Sequence, residues 1–366
     1  MNSLSKELQD SFTELLADIK KAVLYNPRWW LTALKMIRRQ RQAIQQRKMH
    51  LEVHGMHIPP MLIVSVTNRC NLTCKGCYNQ KFHASTSQEM SDDRLIAIFQ
   101  EAEVLGISYV ILVGGEPLSR PGLLNILSQF SKIDFILFTN GTLINAETVQ
   151  IFRKQRHIIP VISNEGGTHH TDNRRGAGIS DAATLAAKAL IKNGLIFGSS
   201  ITVSRDNFSE VMTGAPIDKL IKTGCSLFFL IEYVPVTEGS ESLCLTESEC
   251  AALRNRLLYF RNRYRSMFVG FPGDEERFGG CLAAGRGFLH INASGGVEAC
   301  PFAPVSDISI ENATLAQALQ SPLMTTIRQN HAELEESVGG CALWQKREWL
   351  SALAHQVQFK TNANQS

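Results

Sequence analysis

The sequence holds no apolar run approaching ~18 uncharged residues, so no spanning helix is expected. It has no low-complexity tract, and only 26 Gly and 12 Pro among 366 residues, which excludes collagen-like and turn-dominated chains. Charged residues are scarce at 19% while hydrophobic ones reach 44%, the reverse of a disordered composition. The first 25 residues lack a signal peptide's basic start and continuous apolar stretch, because Glu7, Asp10, Glu14 and Asp18 interrupt them. A cytoplasmic protein is expected. Its nine cysteines are an odd number, and in a reducing compartment they point to metal ligation or catalysis rather than a disulfide framework. The length allows two or three domains, or one barrel-sized domain with appendages.

Charge is unevenly spread. The net value is +3, yet residues 1–60 carry ten Lys or Arg against five Asp or Glu, so the remainder is slightly acidic. The excess is densest over Arg28–Lys48, and no nucleic-acid partner is indicated. Residues 1–58 read as an amphipathic, basic helical segment. Leu4, Leu8, Phe12, Leu15, Ile19 and Val23 recur every three or four residues, and Asn26-Pro27 opens a second helix from about Pro27 to Lys48. On a helical wheel Trp29, Trp30, Ala33, Leu34, Met36, Ile37 and Ile44 oppose Arg28, Lys35, Arg38 and Arg39. Two readings stay open: a basic helix packed on the rest of the protein, or one lying peripherally on an anionic membrane surface.

From about residue 60, short β-branched runs alternate with amphipathic stretches. Strands are expected at Met61–Thr67, Tyr109–Val113, Phe135–Thr139, Ile158–Ser163, Phe197–Val203 and Leu227–Val234, with helices near 92–105, 120–131, 146–156, 181–193 and 213–223. This is the pattern of a parallel α/β sheet with right-handed crossovers, and six units make a partial (βα)6 barrel over residues 59–235. Polar and glycine-rich residues gather after each strand, where barrels build their sites. After Val234 the alternation stops. Residues 236–366 read as a smaller domain with one hairpin, a helix pair and three widely spaced cysteines.

Immediately after the first strand stands Cys70-Asn-Leu-Thr-Cys74-Lys-Gly-Cys77-Tyr78. Three thiolates around one small volume suit a cubane cluster with one open iron better than a tetrahedral zinc, which needs a fourth ligand such as His83. The second strand is followed by Gly114-Gly115-Glu116-Pro117, where glycines let the backbone approach a ligand and a carboxylate can accept from an ammonium group. Thr139-Asn140-Gly141 and Ser163-Asn164-Glu165-Gly166 follow the third and fourth strands, then Arg174-Arg175 stands at a loop-to-helix junction and Ser200 on the fifth strand.

The C-x3-C-x2-C loop, closed by an aromatic residue, resembles the radical S-adenosylmethionine (SAM) superfamily, and the supporting motifs fall at the expected strand ends from about residue 60 to 235. The resemblance implies a [4Fe–4S] cluster on Cys70, Cys74 and Cys77 whose open iron chelates SAM. It implies cofactor contacts from Tyr78, Gly114, Gly115, Glu116, Asn140, Ser163, Glu165, Arg174 or Arg175, and Ser200. Glu165 is a longer substitute for the acid usual at its position. Reductive cleavage of SAM to a 5′-deoxyadenosyl radical, with an electron donor such as flavodoxin or ferredoxin, is the chemistry implied.

Downstream, a C-x13-G-x4-C arrangement of Cys281, Gly295 and Cys300 flanks the hairpin Phe288–Asn292, Ser294–Gly296, Val297–Pro301, with Cys341 as a third thiol. It resembles the start of a SPASM or twitch extension, which implies one auxiliary iron–sulfur cluster. Cys225, Cys244, Cys250, His290 or a carboxylate are the options for its fourth ligand; the first three cysteines otherwise read as buried structural residues. Relatives of this kind imply a peptide or protein substrate, while the Trp-bearing basic helix favours a lipid or membrane-held one. Small metabolites and a non-catalytic iron–sulfur or zinc module complete the alternatives.

Overall fold

The structure, a computed structural model, describes residues 30–83, 88–334 and 341–363. The first expected helix, over residues 4–23, and Trp29 lie outside them. All six expected strands are present: β1 (Met61–Thr67), β2 (Tyr109–Gly114), β3 (Asp134–Thr139), β4 (Ile158–Asn164), β5 (Gly198–Val203) and β6 (Leu227–Glu232). Apart from β5, GSSITV, their sequences are largely apolar runs, as for β1, MLIVSVT, because both faces of a parallel sheet are covered.

Three more strands extend the sheet. β7 (Met267–Phe271), β8 (Phe288–Ile291) and β9 (Val297–Glu298) give the order β7-β6-β5-β4-β3-β2-β1-β8-β9. All neighbours are parallel except β8 and β9, which form the expected hairpin. Side chains from five of these strands, Ile63, Ile111, Phe138, Phe229 and Val269, line one cavity, so the sheet curls into an open partial barrel. The alternation therefore does not stop at Val234. A helix at Glu247–Arg263 leads into β7, whose short MFVGF run ends at a Pro-Gly pair that resembles a loop. The pairing of β8 with β1 joins segments far apart in sequence, which no local pattern announces.

The N-terminal helix α1 (Trp30–His54) covers the end of the barrel where the strands begin. Met36 packs with Ile159, Val161, Leu227 and Phe229. Arg39 pairs with Asp134, the first residue of β3, and Gln40 accepts from the Ser108 hydroxyl at 2.7 Å. Arg47 Nη1 donates to the Gly106 carbonyl at 2.6 Å. Over residues 32–47 the packing reading thus holds. The expected apolar face divides, with Ala33 and Met36 buried and Leu34 63% exposed, because the face turned inward also carries Arg39 and Gln40 to buried polar partners.

Among the remaining helices, α2 (Asp92–Leu105) matches its expected bounds, whereas α3 (Thr168–Arg175) and α4 (Arg205–Thr213) were not expected. The α3 sequence THHTDNRR has no apolar period to reveal it. Among the described residues no helix is long and apolar enough to cross a membrane.

Candidate active site

The cysteine loop leaves β1 through an irregularity in its register with β2 between Ser65 and Thr67, a bulge that redirects the chain. Arg120 fixes this exit. Its Nη1 donates to the Val66 carbonyl at 2.7 Å and its Nη2 to the Met90 carbonyl at 2.8 Å and to Asp92 at 2.7 Å. Glu89 holds the other side, accepting from the Thr67 hydroxyl and the Asn68 amide at 2.7 and 2.8 Å.

The loop is then stitched to the ends of the other strands. Asn71 donates to Thr142 and accepts from Asn140, both at 2.8 Å, while the Lys75 amide donates to the Arg174 carbonyl at 2.9 Å. Gly76 has φ +65°, and a side chain there would strike the Tyr233 ring, so the residue between Cys74 and Cys77 has to be small. Cys70 is exposed and Cys74 and Cys77 are half-buried. Burial pushes the Cys70 and Cys74 thiols up, with Arg175 and Arg174 pulling Cys74 the other way.

Behind the loop, a side chain on Gly115 would collide with the Arg69 carbonyl, and the Glu116 amide donates to that carbonyl at 2.8 Å. The Glu116 carboxylate is almost fully buried and already bonded within the chain: it accepts from the Thr139 hydroxyl at 2.8 Å, the Asn140 amide at 2.7 Å and the Leu118 amide at 3.1 Å. It ties the β2 exit to the β3 exit. The Tyr78 hydroxyl lies against the Gly114 backbone amide, and burial pushes its pKa well up.

On the far side, Ser163 of β4 and Ser200 of β5 are register partners whose hydroxyls stand 3.1 Å apart. Glu165 Oε1 accepts from both Arg174 Nη1 at 2.6 Å and Arg175 Nε at 2.7 Å, and Arg174 also donates to the Thr202 hydroxyl at 3.0 Å. The two arginines, expected singly at this site, thus share one carboxylate oxygen. Glu89, Arg120 and Tyr233 were not singled out from sequence. Tyr233 follows β6 directly, the signal that marked the other site residues, but Glu89 and Arg120 act through contacts that only folding creates.

Residues 64–212 match the profile of the radical SAM superfamily. That segment is a radical SAM domain. The chain is 25% identical over 322 residues to the AdoMet-dependent heme synthase of Methanosarcina barkeri, covering 77% of this chain and 91% of that one. It is 24% identical over 267 residues to the PqqA peptide cyclase of Streptomyces rochei, covering 70% of this chain and 73% of that protein. Among solved structures, Streptococcus suis SuiB bound to precursor peptide SuiA has a TM-score of 0.63 at 18% identity, covering 83% of this chain and 74% of that chain. That likeness bears out the expected partial barrel and runs beyond the segment matched by the profile.

The superfamily implies a [4Fe–4S] cluster and SAM, and the groups of this chain fit both. Two buried polar atoms beside the loop, Glu165 Oε2 and the Tyr233 hydroxyl, have no partner within the protein, as a site that still has a polar ligand to meet requires. Among the described residues, no three His, Cys, Asp or Glu side chains are gathered closely enough to hold a single metal ion. That is no obstacle to a cubane, in which each thiolate binds a different iron. The side chain of His83, the alternative zinc ligand, lies outside the described residues.

At the C-terminal cysteines, Cys281, Cys300 and Cys341 are all buried. The Cys300 thiol hydrogen-bonds that of Cys341, and Cys281 lies within the field of both Cys341 and Glu275. Burial, then these neighbours, drives the Cys281 and Cys300 thiols far above their ordinary range; bound cations are what would let such thiols ionise. The other cysteines stand elsewhere. Cys225 precedes β6 at the opposite end of the barrel, its thiol pushed up to about 12 by burial, and Cys250 lies 3.5 Å from Glu232. His290 Nε2 is 2.9 Å from the Ser65 hydroxyl and its Nδ1 is 2.8 Å from Glu298, a buried bridge from the hairpin to β1.

Proposed function

We propose that the enzyme abstracts hydrogen from a substrate carbon at the top of its barrel, with Cys70, Cys74 and Cys77 holding the catalytic cluster and Cys281, Cys300 and Cys341 an auxiliary one. When bound, the cluster and SAM supply a 5′-deoxyadenosyl radical. The main chain of Gly114–Glu116, with Tyr78, Asn140, Ser163 and Ser200, would surround SAM. Glu165 would keep Arg174 and Arg175 aimed at its carboxylate, since a shared anion fixes both guanidiniums before the ligand arrives. Glu116, already committed to Thr139 and Asn140, positions the backbone that meets the ammonium group.

The observation that carries this reading is one end of the barrel cavity. Tyr78, next to Cys77, and Phe302, two residues past Cys300, both line it with ring centroids 5.4 Å apart. Residues beside both cysteine sets therefore meet at one end of one cavity, where a substrate would face a radical on one side and a redox centre on the other.

Two substrate readings rest on different observations. Similarity to a protein named as a peptide cyclase, and to a fold solved with a precursor peptide, supports a peptide or protein. The apolar barrel interior supports a lipid or membrane-held substrate instead. Protein reconstituted with iron and sulfide under anaerobic conditions, given SAM and a strong reductant, is expected to form 5′-deoxyadenosine. Label recovered in that product from deuterated peptide or lipid extracts identifies the substrate class, and absence of any 5′-deoxyadenosine removes the proposal.

A further inference from the structure

The barrel interior is a cavity of about 290 Å³. Its lining runs from residues at the strand starts, such as Met61 and Leu227, to residues at the strand ends, such as Phe138 and Phe271. Four residue steps along β6, from Leu227 to Ile231, make that depth ~13 Å.

Except for the Tyr109 hydroxyl, which is buried at the strand-start end without a hydrogen-bond partner, the polar groups of the wall are engaged with the protein. Arg261 is paired with Asp274, the Ser226 hydroxyl donates to the Phe197 carbonyl at 3.3 Å, and Glu275 accepts from the Gly273 amide at 3.2 Å. The Tyr109 hydroxyl, near the strand starts, lies within the field of Asp134, Arg47 and Arg39. A peptide backbone threaded here would leave its amides and carbonyls without partners, which is costly, whereas methylene groups ask for none. Met36 of α1 lines its strand-start end, beside Leu227 and Phe229, and Tyr78 and Phe302 line the end where the cysteine loop leaves β1.

We infer that the barrel is a binding site for an aliphatic chain of a lipid-class substrate, with Met36 at the strand-start end limiting its length and the reacting carbon at the Tyr78–Phe302 end. The inference rests on the radical reading only for the fate of that carbon; chain binding stands by itself. It selects the lipid reading because the depth and lining of the cavity, unlike likeness to relatives, belong to this chain.

The test uses the full chain, purified anaerobically, and straight-chain primary alcohols of about six to about sixteen carbons as probes, since burial of each methylene should tighten binding roughly fourfold while the cavity fills. The gain is expected to stop near ten carbons. Met36→Ala, which shortens the side chain at the strand-start end, should move that limit to longer chains, and Phe229→Leu should loosen it without deepening it; thermal melts confirm that each variant is folded. No binding by wild type, or affinity that ignores chain length, overturns the inference, as does tighter binding of a Leu- and Phe-bearing peptide than of any alcohol. 5′-Deoxyadenosine formation is read in the same samples. A chain-length limit without SAM cleavage keeps the pocket and sinks the radical reading; SAM cleavage without a limit does the reverse.

Discussion

Arg120 shows how a residue with no chemistry of its own governs the site. Buried, it satisfies two carbonyls, Val66 on the strand leading to the cysteines and Met90 on the chain leading into α2. Arg120→Met keeps the apolar stem and removes both donors, so two buried carbonyls lose their partners at a cost of about 2–4 kcal/mol. The expected result is a lower midpoint in denaturant and reduced iron incorporation on reconstitution, measured by iron analysis. Cys77→Ala makes the complementary point. Three thiolates are the fewest that hold a cubane with one open site, so this variant should form no 5′-deoxyadenosine while its melting temperature stays near that of the cluster-free wild type. Normal product formation there would mean the loop does not hold the catalytic cluster.

At the scale of an element, α1 is instructive because its sequence supports two fates. Tryptophans on one face and arginines on the other suit a membrane surface, yet Arg39 spends its charge on a fully buried aspartate. Burial pushes Asp134 up to about 6 even with Arg39 beside it. The folded state therefore holds that proton more tightly than the unfolded chain, whose aspartate titrates near 4. Through this group, stability is greatest below about pH 4 and declines as pH rises to about 6. Asp134→Asn should flatten the melting temperature across that window. Arg39→Met should steepen it and cost about 3 kcal/mol above pH 6, where an unpaired carboxylate is left buried. Equal effects of Arg39→Met at both ends of the window would show that the helix is held by packing alone.

For the whole molecule, the two cysteine sets make iron content the informative quantity. If each holds a four-iron cluster, the reconstituted wild type binds about eight irons and the triple Cys70/Cys74/Cys77→Ala variant about half. A folded triple variant free of iron would show that Cys281, Cys300 and Cys341 form no independent cluster. The two sets stand on separate segments: the first sits on one loop after β1, while the second is assembled from the chain entering β8, the chain leaving β9 and the residue opening the helical C-terminal segment.

By itself the sequence determined what depends on neighbours along the chain. β1 through β6 could be placed because both-face burial writes itself mostly as apolar or β-branched runs, and the cysteine loop could be read because three cysteines lie within a single loop. Gly114–Glu116, Asn140, Ser163 and Glu165 were found as strand-end residues for the same reason. What separate segments do to one another was decided only by the tertiary structure. It paired β8 with β1, carried the sheet on into β7, and turned α1 inward onto Asp134. It joined Arg174 and Arg175 to one oxygen of Glu165 and spent the Glu116 carboxylate on Thr139 and Asn140. The apolar cavity belongs to the same class, since its walls come from one inward residue in two on each of several strands, a selection made when the sheet curls and not before.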